Sequence, residues 1–147
     1  MLVLRIRTPH RRGAEIGVSK YSVKMHLLNV KTLSLEEFYD DSNDLPKYAI
    51  VSHRWGESEV SFQKISQASQ AGKEGFRKIV ESAYLAEQSG LSYIWIDTCC
   101  IDKSPSAELQ DNINSMFSYY QRSEVCFAYP DDVKANSCVE DILRAKW

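Results

Sequence analysis

Three short runs of consecutive apolar residues stand out along the chain, at 48–51, 93–96 and 125–129. An apolar run of this length, without alternating polar positions, is typical of a strand covered on both faces, as in a parallel sheet. The pattern therefore predicts three central strands.

Two segments between these runs have apolar residues at intervals of three and four, the spacing of one helical face. The first covers 75–90 and ends at a glycine, a common helix stop. The second covers 109–120, and Ser104 followed by Pro105 predicts its start. Both apolar faces are expected to pack in the core. They consist of Phe76, Ile79, Val80, Ala83 and Ala86 in the first segment, and Leu109, Ile113, Met116, Phe117 and Tyr120 in the second.

Two weaker signals precede the first central strand. Residues 26–30 have the pattern of a short strand, and Ser34 stands three residues before Glu37, as in a capping box, which predicts a helical turn at 34–39. Strands and helices then alternate, and right-handed crossovers between them would align the central strands. The order predicts an α/β fold with a small, mainly parallel sheet flanked by helices.

Residues 1–24 differ in composition from the remainder of the chain. They hold six basic residues against one acid, Glu15, whereas the whole chain has a formal charge of −2. This break predicts a basic, flexible extension at 1–24 ahead of a domain at 25–147. A mitochondrial presequence would have the same character, because such segments are rich in arginine and poor in acids.

Composition narrows the class of protein. A chain of 147 residues with 44% hydrophobic residues has the material for one packed domain. The small negative charge provides no basic field, so no nucleic-acid partner is expected. The apolar runs are far shorter than the roughly 20 residues that cross a bilayer, so no membrane association is expected. Four cysteines, two of them adjacent, fit neither a zinc site nor a disulfide scaffold, which predicts a reducing, cytoplasmic setting.

Polar and ionisable residues follow the predicted central strands. Ser52, His53, Arg54 and Trp55 come after the first strand, and Asp97 comes after the second. In open α/β sheets, ligands bind beyond the carboxyl ends of the strands, where loops and helix N-termini converge. His53 and Arg54 suit a pyrophosphate, Trp55 suits a base or ring, and Asp97 suits a ribose hydroxyl or a cation. Structural roles are the alternative for each: a loop hydrogen bond, a solvated charge or core-edge packing.

Two other kinds of chemistry fit the same residues at the strand ends less well. Cys99 or Cys100 beside His53 and Asp97 would supply a thiol nucleophile, but a buried cysteine usually packs as a small hydrophobe. A hard cation would need several carboxylates, and beyond acidity no ligand spacing supports a site, so no metal is predicted. The acids concerned are Asp97, Asp102, Asp131 and Asp132.

Three stretches of the sequence resemble the fungal heterokaryon-incompatibility (HET) domain. They are MHLLNVKTLSLEEF at 25–38, YAIVSHRWG at 48–56 and IWIDTCCIDKSPSAELQDNINSMFSYYQRSEVCFAY at 94–129. HET-family proteins are implicated in vegetative incompatibility and in cell death after fusion of unlike fungal cells, and the resemblance implies that role. The family usually continues into an Arg-Gly-Trp-Thr-Leu-Gln-Glu-Leu block. Because this sequence ends at Trp147, the domain is expected to be incomplete at its C-terminus.

The HET domain is in turn similar to TIR domains, which are flavodoxin-like signalling modules, some of which cleave NAD. YAIVSHRWGE at 48–57 resembles the first strand and loop of a TIR domain, and SPSAEL at 104–109 resembles the helix start that carries the essential Glu of the NAD-cleaving members. The resemblance places that catalytic role on Glu108, with NAD as the substrate and no cofactor required. His53, Asp97 and Glu108 are then expected to meet in one hollow.

Two functional hypotheses follow from the resemblance and stay open at this point. In the first, the ionised Glu108 in the first helical turn stabilises the oxocarbenium ion that forms when the nicotinamide–ribose bond breaks. In the second, Glu108 only favours its helix, and the domain is a non-catalytic module that signals to partner proteins by self-association as a homo-oligomer.

Overall fold

The structure, a computed structural model, describes residues 4–6, 22–67 and 74–129, in which four strands precede the first helix. The strands form a single six-stranded sheet with the order β1-β6-β4-β5-β2-β3, and helices flank it in an α/β fold. The elements are β1 Leu4–Ile6, β2 Lys24–Asn29, β3 Leu35–Tyr39, β4 Tyr48–His53, α1 Glu74–Gln88, β5 Tyr93–Trp95, α2 Asp97–Cys100, α3 Ala107–Arg122 and β6 Val125–Tyr129.

The three central strands are parallel, as the apolar runs predicted. β4 lies between β5 and β6 and pairs in parallel with both, and its residues 48–51 are all buried. The connections from β4 to β5 and from β5 to β6 run in opposite directions along the sheet, so right-handed crossovers place α1 and α3 on opposite faces of the sheet. The carboxyl end of β4 is therefore a topological switch point, the place where α/β sheets bind ligands.

The outer strands are antiparallel, so the sheet is mixed and the expectation of a mainly parallel sheet holds only for its centre. β2 pairs antiparallel with β5 and β3, and β1 pairs antiparallel with β6. β1 and Lys24 of β2 belong to the segment 1–24, which the sequence pattern left outside the fold. A three-residue strand is too short for its periodicity to be visible. Residues 7–21 lie outside the described residues.

Residues 35–39 form the strand β3, so the prediction of a helical turn at 34–39 was wrong. Leu33 reverses the chain with a positive φ of 53°, and the Asn29 side chain accepts two backbone N–H groups of this turn. β3 then pairs with all but the last residue of β2. The capping-box signal is local, whereas pairing with β2 satisfies the backbone of the whole segment.

Both long helices form close to their predicted positions. α1 buries three of its predicted core residues, Ile79, Ala83 and Ala86. α3 is capped by Ser106, whose Oγ accepts the Leu109 N–H at 3.1 Å, and not by Ser104 as predicted. Within the described ranges, no helix is long and apolar enough to span a membrane.

The buried face of α3 differs from the predicted apolar stripe. Asn112 and Tyr119 are buried, whereas Ile113 is 48% exposed and Phe117 is 73% exposed. Tyr119 donates from its hydroxyl to Asn112 Oδ1 at 3.2 Å, and its carbonyl accepts from the Tyr48 hydroxyl at 2.7 Å. Satisfied polar tips permit this burial, and hydropathy alone does not reveal them.

Candidate functional site

The candidate site lies beyond the carboxyl ends of β4 and β5. His53 ends β4, Trp55 follows it in the next loop, and Asp97 opens α2 directly after β5. Because β4 and β5 are parallel neighbours, both end at the same edge of the sheet. The fold thereby joins side chains that stand 44 residues apart in sequence.

The Asp97 carboxylate is held by two donors. His53 Nε2 lies 2.9 Å from Oδ1, and Trp55 Nε1 donates to Oδ2 at 2.8 Å. Burial by itself would raise the pKa of Asp97, but the hydrogen bonds from His53 and Trp55 outweigh it and lower the pKa below its ordinary value. The Asp97 side chain remains 20% exposed, so an ionised, oriented carboxylate reaches the surface of the site.

A buried charge pair lies behind His53. Lys78 Nζ is 2.8 Å from His53 Nδ1 and 2.6 Å from Glu59 Oε1. The side chains of His53, Lys78 and Glu59 are 1%, 5% and 16% exposed, so His53 contacts Asp97 but presents almost no surface to a ligand. Lys78 and Glu59 are not among the site residues that the sequence predicts. The available signal was a lysine within the apolar stripe of α1, between the buried Gly75 and Ser82.

The tautomer of His53 depends on which groups contact its two ring nitrogens. Nδ1 is approached by Lys78 Nζ and, at 2.9 Å, by the Arg54 carbonyl oxygen. A lysine ammonium has only donors, so its contact with Nδ1 requires the lone pair of that nitrogen. The Arg54 carbonyl then accepts from Lys78 at 3.5 Å. With Lys78 donating to Nδ1, the ring proton lies on Nε2, which donates to Asp97.

A cavity of about 250 Å³ opens beside Asp97. Lys103 Nζ lies 3.5 Å from the centroid of the Trp55 ring, a cation–π contact at the cavity wall. Burial lowers the pKa of Lys103, although the charge of Asp97 opposes this effect. The remaining wall is apolar, so the site combines one carboxylate, one ammonium and one indole with a hydrophobic pocket. The lining residues are Trp55, Asp97, Ile101, Lys103, Leu109, Ile113 and Met116.

Glu108 has different neighbours from Asp97. It is half-buried in the first turn of α3, and its charge acts on Lys24, whose pKa is raised mainly by Glu37, and on His26. Burial lowers the pKa of His26, and Glu37 and Glu108 oppose that shift. The next residue, Leu109, lines the cavity, whereas Glu108 is outside the lining set. The structure thus joins His53, Trp55 and Asp97, and directs the charge of Glu108 towards β2.

Ser52 and Arg54 flank the site in different ways. Side chains alternate along a strand, so Ser52 lies on the sheet face opposite His53, where it hydrogen-bonds with Tyr120. Burial raises the pKa of Tyr120 to about 12, which this contact partly opposes. The Arg54 side chain is exposed, and its backbone carbonyl belongs to the Lys78 cluster.

The thiol and metal alternatives gain no geometric support. Cys99 and Cys100 are fully buried, and a hydrogen bond between them, together with burial, raises the pKa of Cys99 well above its ordinary value, which disfavours a thiolate. Over 22–67 and 74–129, no three His, Cys, Asp or Glu side chains are grouped so as to hold a metal ion. Asp131 and Asp132 lie outside the described residues.

Comparison with known proteins gives a family and one curated relative. The family model described as "Heterokaryon incompatibility protein (HET)" matches residues 48–146. "Vegetative incompatibility protein HET-E-1" of Podospora anserina is 44% identical over 97 residues, which cover 65% of this chain and 7% of the relative. The chain therefore spans a small part of that relative's length. No solved structure matches the chain significantly.

Proposed function

This chain belongs to the heterokaryon incompatibility (HET) family, and from that premise we propose that it acts in vegetative incompatibility by cleaving NAD between nicotinamide and ribose. The family and the name of the Podospora anserina relative support the biological role. A single observation supports the chemistry: the Asp97 carboxylate, kept ionised by His53 and Trp55, stands at the wall of an apolar cavity.

Cleavage of NAD needs an anion more than it needs a proton donor. The bond between ribose C1′ and the nicotinamide nitrogen breaks, and its electron pair leaves with the nicotinamide. Positive charge therefore develops on the ribose before water bonds to C1′ and releases a proton. A carboxylate that is already fixed and ionised stabilises this charge without reorganisation.

The shape and charge of the cavity suit the nicotinamide end of the dinucleotide. A flat cationic ring fits an apolar space of about 250 Å³ with the Asp97 carboxylate and the Trp55 indole at its wall. Lys103 and the exposed Arg54 supply positive charge for the diphosphate. Asp97 is then the carboxylate that faces the ribose.

Glu108 is retained in the proposal because the resemblance assigns it the essential catalytic role. It lies in the first turn of α3, where the positive end of the helix dipole attracts negative charge. Asp97 and Glu108 have different neighbours, so their contributions can be measured separately.

The test is NAD hydrolysis by the purified full chain, followed by chromatography of nicotinamide and ADP-ribose. We expect the unmodified chain to form both products, and Asp97→Asn and Glu108→Gln each to reduce the rate by about 10²-fold or more. Asp111→Asn, which removes an exposed carboxylate from α3, is the matched control and should retain full activity.

The outcomes separate the parts of the proposal. If the chain leaves NAD intact under conditions in which an established NAD hydrolase consumes it, cleavage is refuted. A full rate in Glu108→Gln refutes only the role of Glu108, and a full rate in Asp97→Asn refutes the role of the cavity.

A second candidate function is signalling by self-association of the domain. Two apolar pairs, each one helical turn apart, are exposed to solvent: Val80 with Tyr84 on α1, and Ile113 with Phe117 on α3. Exposed apolar patches often mark protein contacts. For this function, a second copy of the chain is the partner, and cell death would persist in both Asp97→Asn and Glu108→Gln.

A further inference from the structure

A buried ion pair behind the site has no part in the chemistry described so far. Lys78 and Glu59 are 5% and 16% exposed, and their charged atoms are 2.6 Å apart. Removing two charges from water is costly, and well-packed apolar residues at such positions are often at least as stabilising. Stability of the core therefore does not explain why this ion pair is buried. Its contacts with the residues of the site do explain it.

Each proton of the Lys78 ammonium has an acceptor. The acceptors are Glu59 Oε1 at 2.6 Å, His53 Nδ1 at 2.8 Å and the Arg54 carbonyl at 3.5 Å. The Tyr129 ring of β6 lies 5.7 Å from the same nitrogen. Lys78 thus joins α1 to the end of β4, to the following loop and to β6.

Both donors to Asp97 are connected to this pair. Lys78 occupies the Nδ1 lone pair of His53, which leaves the ring proton on Nε2, opposite Asp97 Oδ1. Glu59 Oε1 also accepts the Gly56 N–H at 2.8 Å, and this bond secures the loop residue next to Trp55. The Lys78–Glu59 pair therefore determines which ring nitrogen of His53 carries the proton. It also fixes the loop next to Trp55.

We propose that Lys78, paired with Glu59, is a positioning residue of the site, which holds His53 in its Nε2–H tautomer and so orients the Asp97 carboxylate towards the cavity. The orientation of Asp97 follows from the hydrogen bonds alone, whereas its consequence for NAD rests on the proposed function. Neither residue touches the ligand.

Loss of Lys78 has a defined structural result. The Arg54 carbonyl is already 2.9 Å from His53 Nδ1, closer than Glu59 Oε1 at 3.8 Å, so Nδ1 takes a proton and donates to the carbonyl. A neutral ring then turns the Nε2 lone pair towards Asp97 and repels it, while a doubly protonated ring places a cation beside the carboxylate. Either state changes the anion that the cavity presents.

The direct test is nitrogen NMR of the histidine rings in the full chain. The sequence has three histidines, so substitution of the other two identifies the signals of His53. In the unmodified chain we expect Nδ1 to lack a proton and Nε2 to carry one. In the double variant Lys78→Met/Glu59→Gln we expect Nδ1 to be protonated. Both charges are removed together because Lys78→Met alone would leave Glu59 buried without its partner.

Two further variants keep the test decisive. Arg77→Met removes the neighbouring cation of α1, which is 64% exposed and pairs with Glu74, and should leave the His53 signals unchanged. Glu59→Gln keeps an acceptor for Lys78 and should retain the Nε2–H ring. Protonated Nδ1 in the unmodified chain overturns the proposal without any variant, and so does an unchanged ring in the folded double variant.

NAD turnover supplies the functional measurement. Loss of a residue that orients a metal ligand typically costs about 10- to 100-fold, and we expect a similar fall in kcat for the double variant, with little change in KM. Arg77→Met should match the unmodified chain. An altered ring with unchanged kcat overturns the positioning role. If the unmodified chain cleaves no NAD, the proposed function fails, and the ring signals alone still test the link from Lys78 to Asp97.

Discussion

Asp97 is the side chain at which burial and hydrogen bonding oppose each other most directly. Burial alone would favour the protonated acid, and the hydrogen bonds from His53 and Trp55 reverse that preference. A neutral asparagine has one acceptor oxygen for only one of these two donors. Its NH₂ group, which is itself a donor, would face the second donor. The charge at position 97 therefore matters for stability as well as for chemistry.

We expect Asp97→Asn to lower the free energy of unfolding by about 1.5–3 kcal/mol at pH 7, the usual contribution of hydrogen bonds to a charged group. The pKa of Asp97 is below its ordinary value of 3.8 in the folded chain, so this stabilisation is complete above that value and is lost as the pH falls through the folded pKa. Urea denaturation at pH 7 and near pH 3 measures the difference.

The exposed Asp44→Asn is the control and should show no such pH-dependent difference. If Asp97→Asn lost the same free energy at both pH values, the charge of the carboxylate would not be the cause.

Site residues that follow a strand in the sequence could be predicted. Site residues that reach the site only because a helix packs against the sheet could not. Trp55 and Asp97 come shortly after apolar runs, so their meeting at one edge followed from parallel strands. Lys78 is joined to the site only because α1 packs against the end of β4, and no local pattern encodes that contact. Glu108 follows a strand less closely, and the rotation of α3 decides where its charge acts.

The position of α1 depends on a glycine in its first turn, Gly75. A Cβ at Gly75 would lie 2.3 Å from the carbonyl oxygen of Ser58 and 3.0 Å from Glu59 Cα. Glycine therefore lets the helix approach the loop that carries Glu59, and this approach brings Lys78 within reach of its partner.

Gly75→Ala should lower the free energy of unfolding by about 1–3 kcal/mol, because the added methyl group overpacks against backbone atoms that cannot move cheaply. Gly56→Ala is the matched control, since its nearest atom, Glu59 Oε1, is 3.7 Å away. Urea midpoints of the two variants give the comparison. Equal midpoints would show that the loop moves aside without cost.

Whether a helix or strand could be predicted from the sequence depended on its length and on its hydrophobic periodicity. β4, β6 and both long helices are apolar over enough residues to be recognised, and they form where predicted. α2 is a single turn, and a single turn has no period to detect. β3 was misread because its Ser and Glu spacing matches a helix start, while its actual partner, β2, lies across a turn.

For the whole molecule, the exposed apolar side chains bear on association. Phe117 and Tyr84 are 73% and 60% exposed on α3 and α1, the helices on opposite faces of the sheet. The sequence assigned Phe117 to the core, because a helical stripe shows which residues are apolar but not how the helix is rotated.

If the domain signals by self-association, light scattering of the full chain should show a molecular mass that rises with concentration. Phe117→Ser, which removes the most exposed of these apolar side chains, should shift that rise to higher concentration. Tyr39→Ser, at an exposed position on the edge strand β3, is the control and should leave it unchanged. A constant monomer mass at all concentrations would contradict this function.

The position of β4 between two parallel neighbours also governs how the domain opens. Its amide hydrogens are expected to exchange with deuterium only through global unfolding, whereas those of the edge strand β3 exchange through local fluctuations. The loop that carries Trp55 is therefore tethered to the slowest-exchanging part of the chain. A bound ligand would then slow exchange in the central strand β4, beyond the surface that it touches, and leave exchange in β3 unchanged.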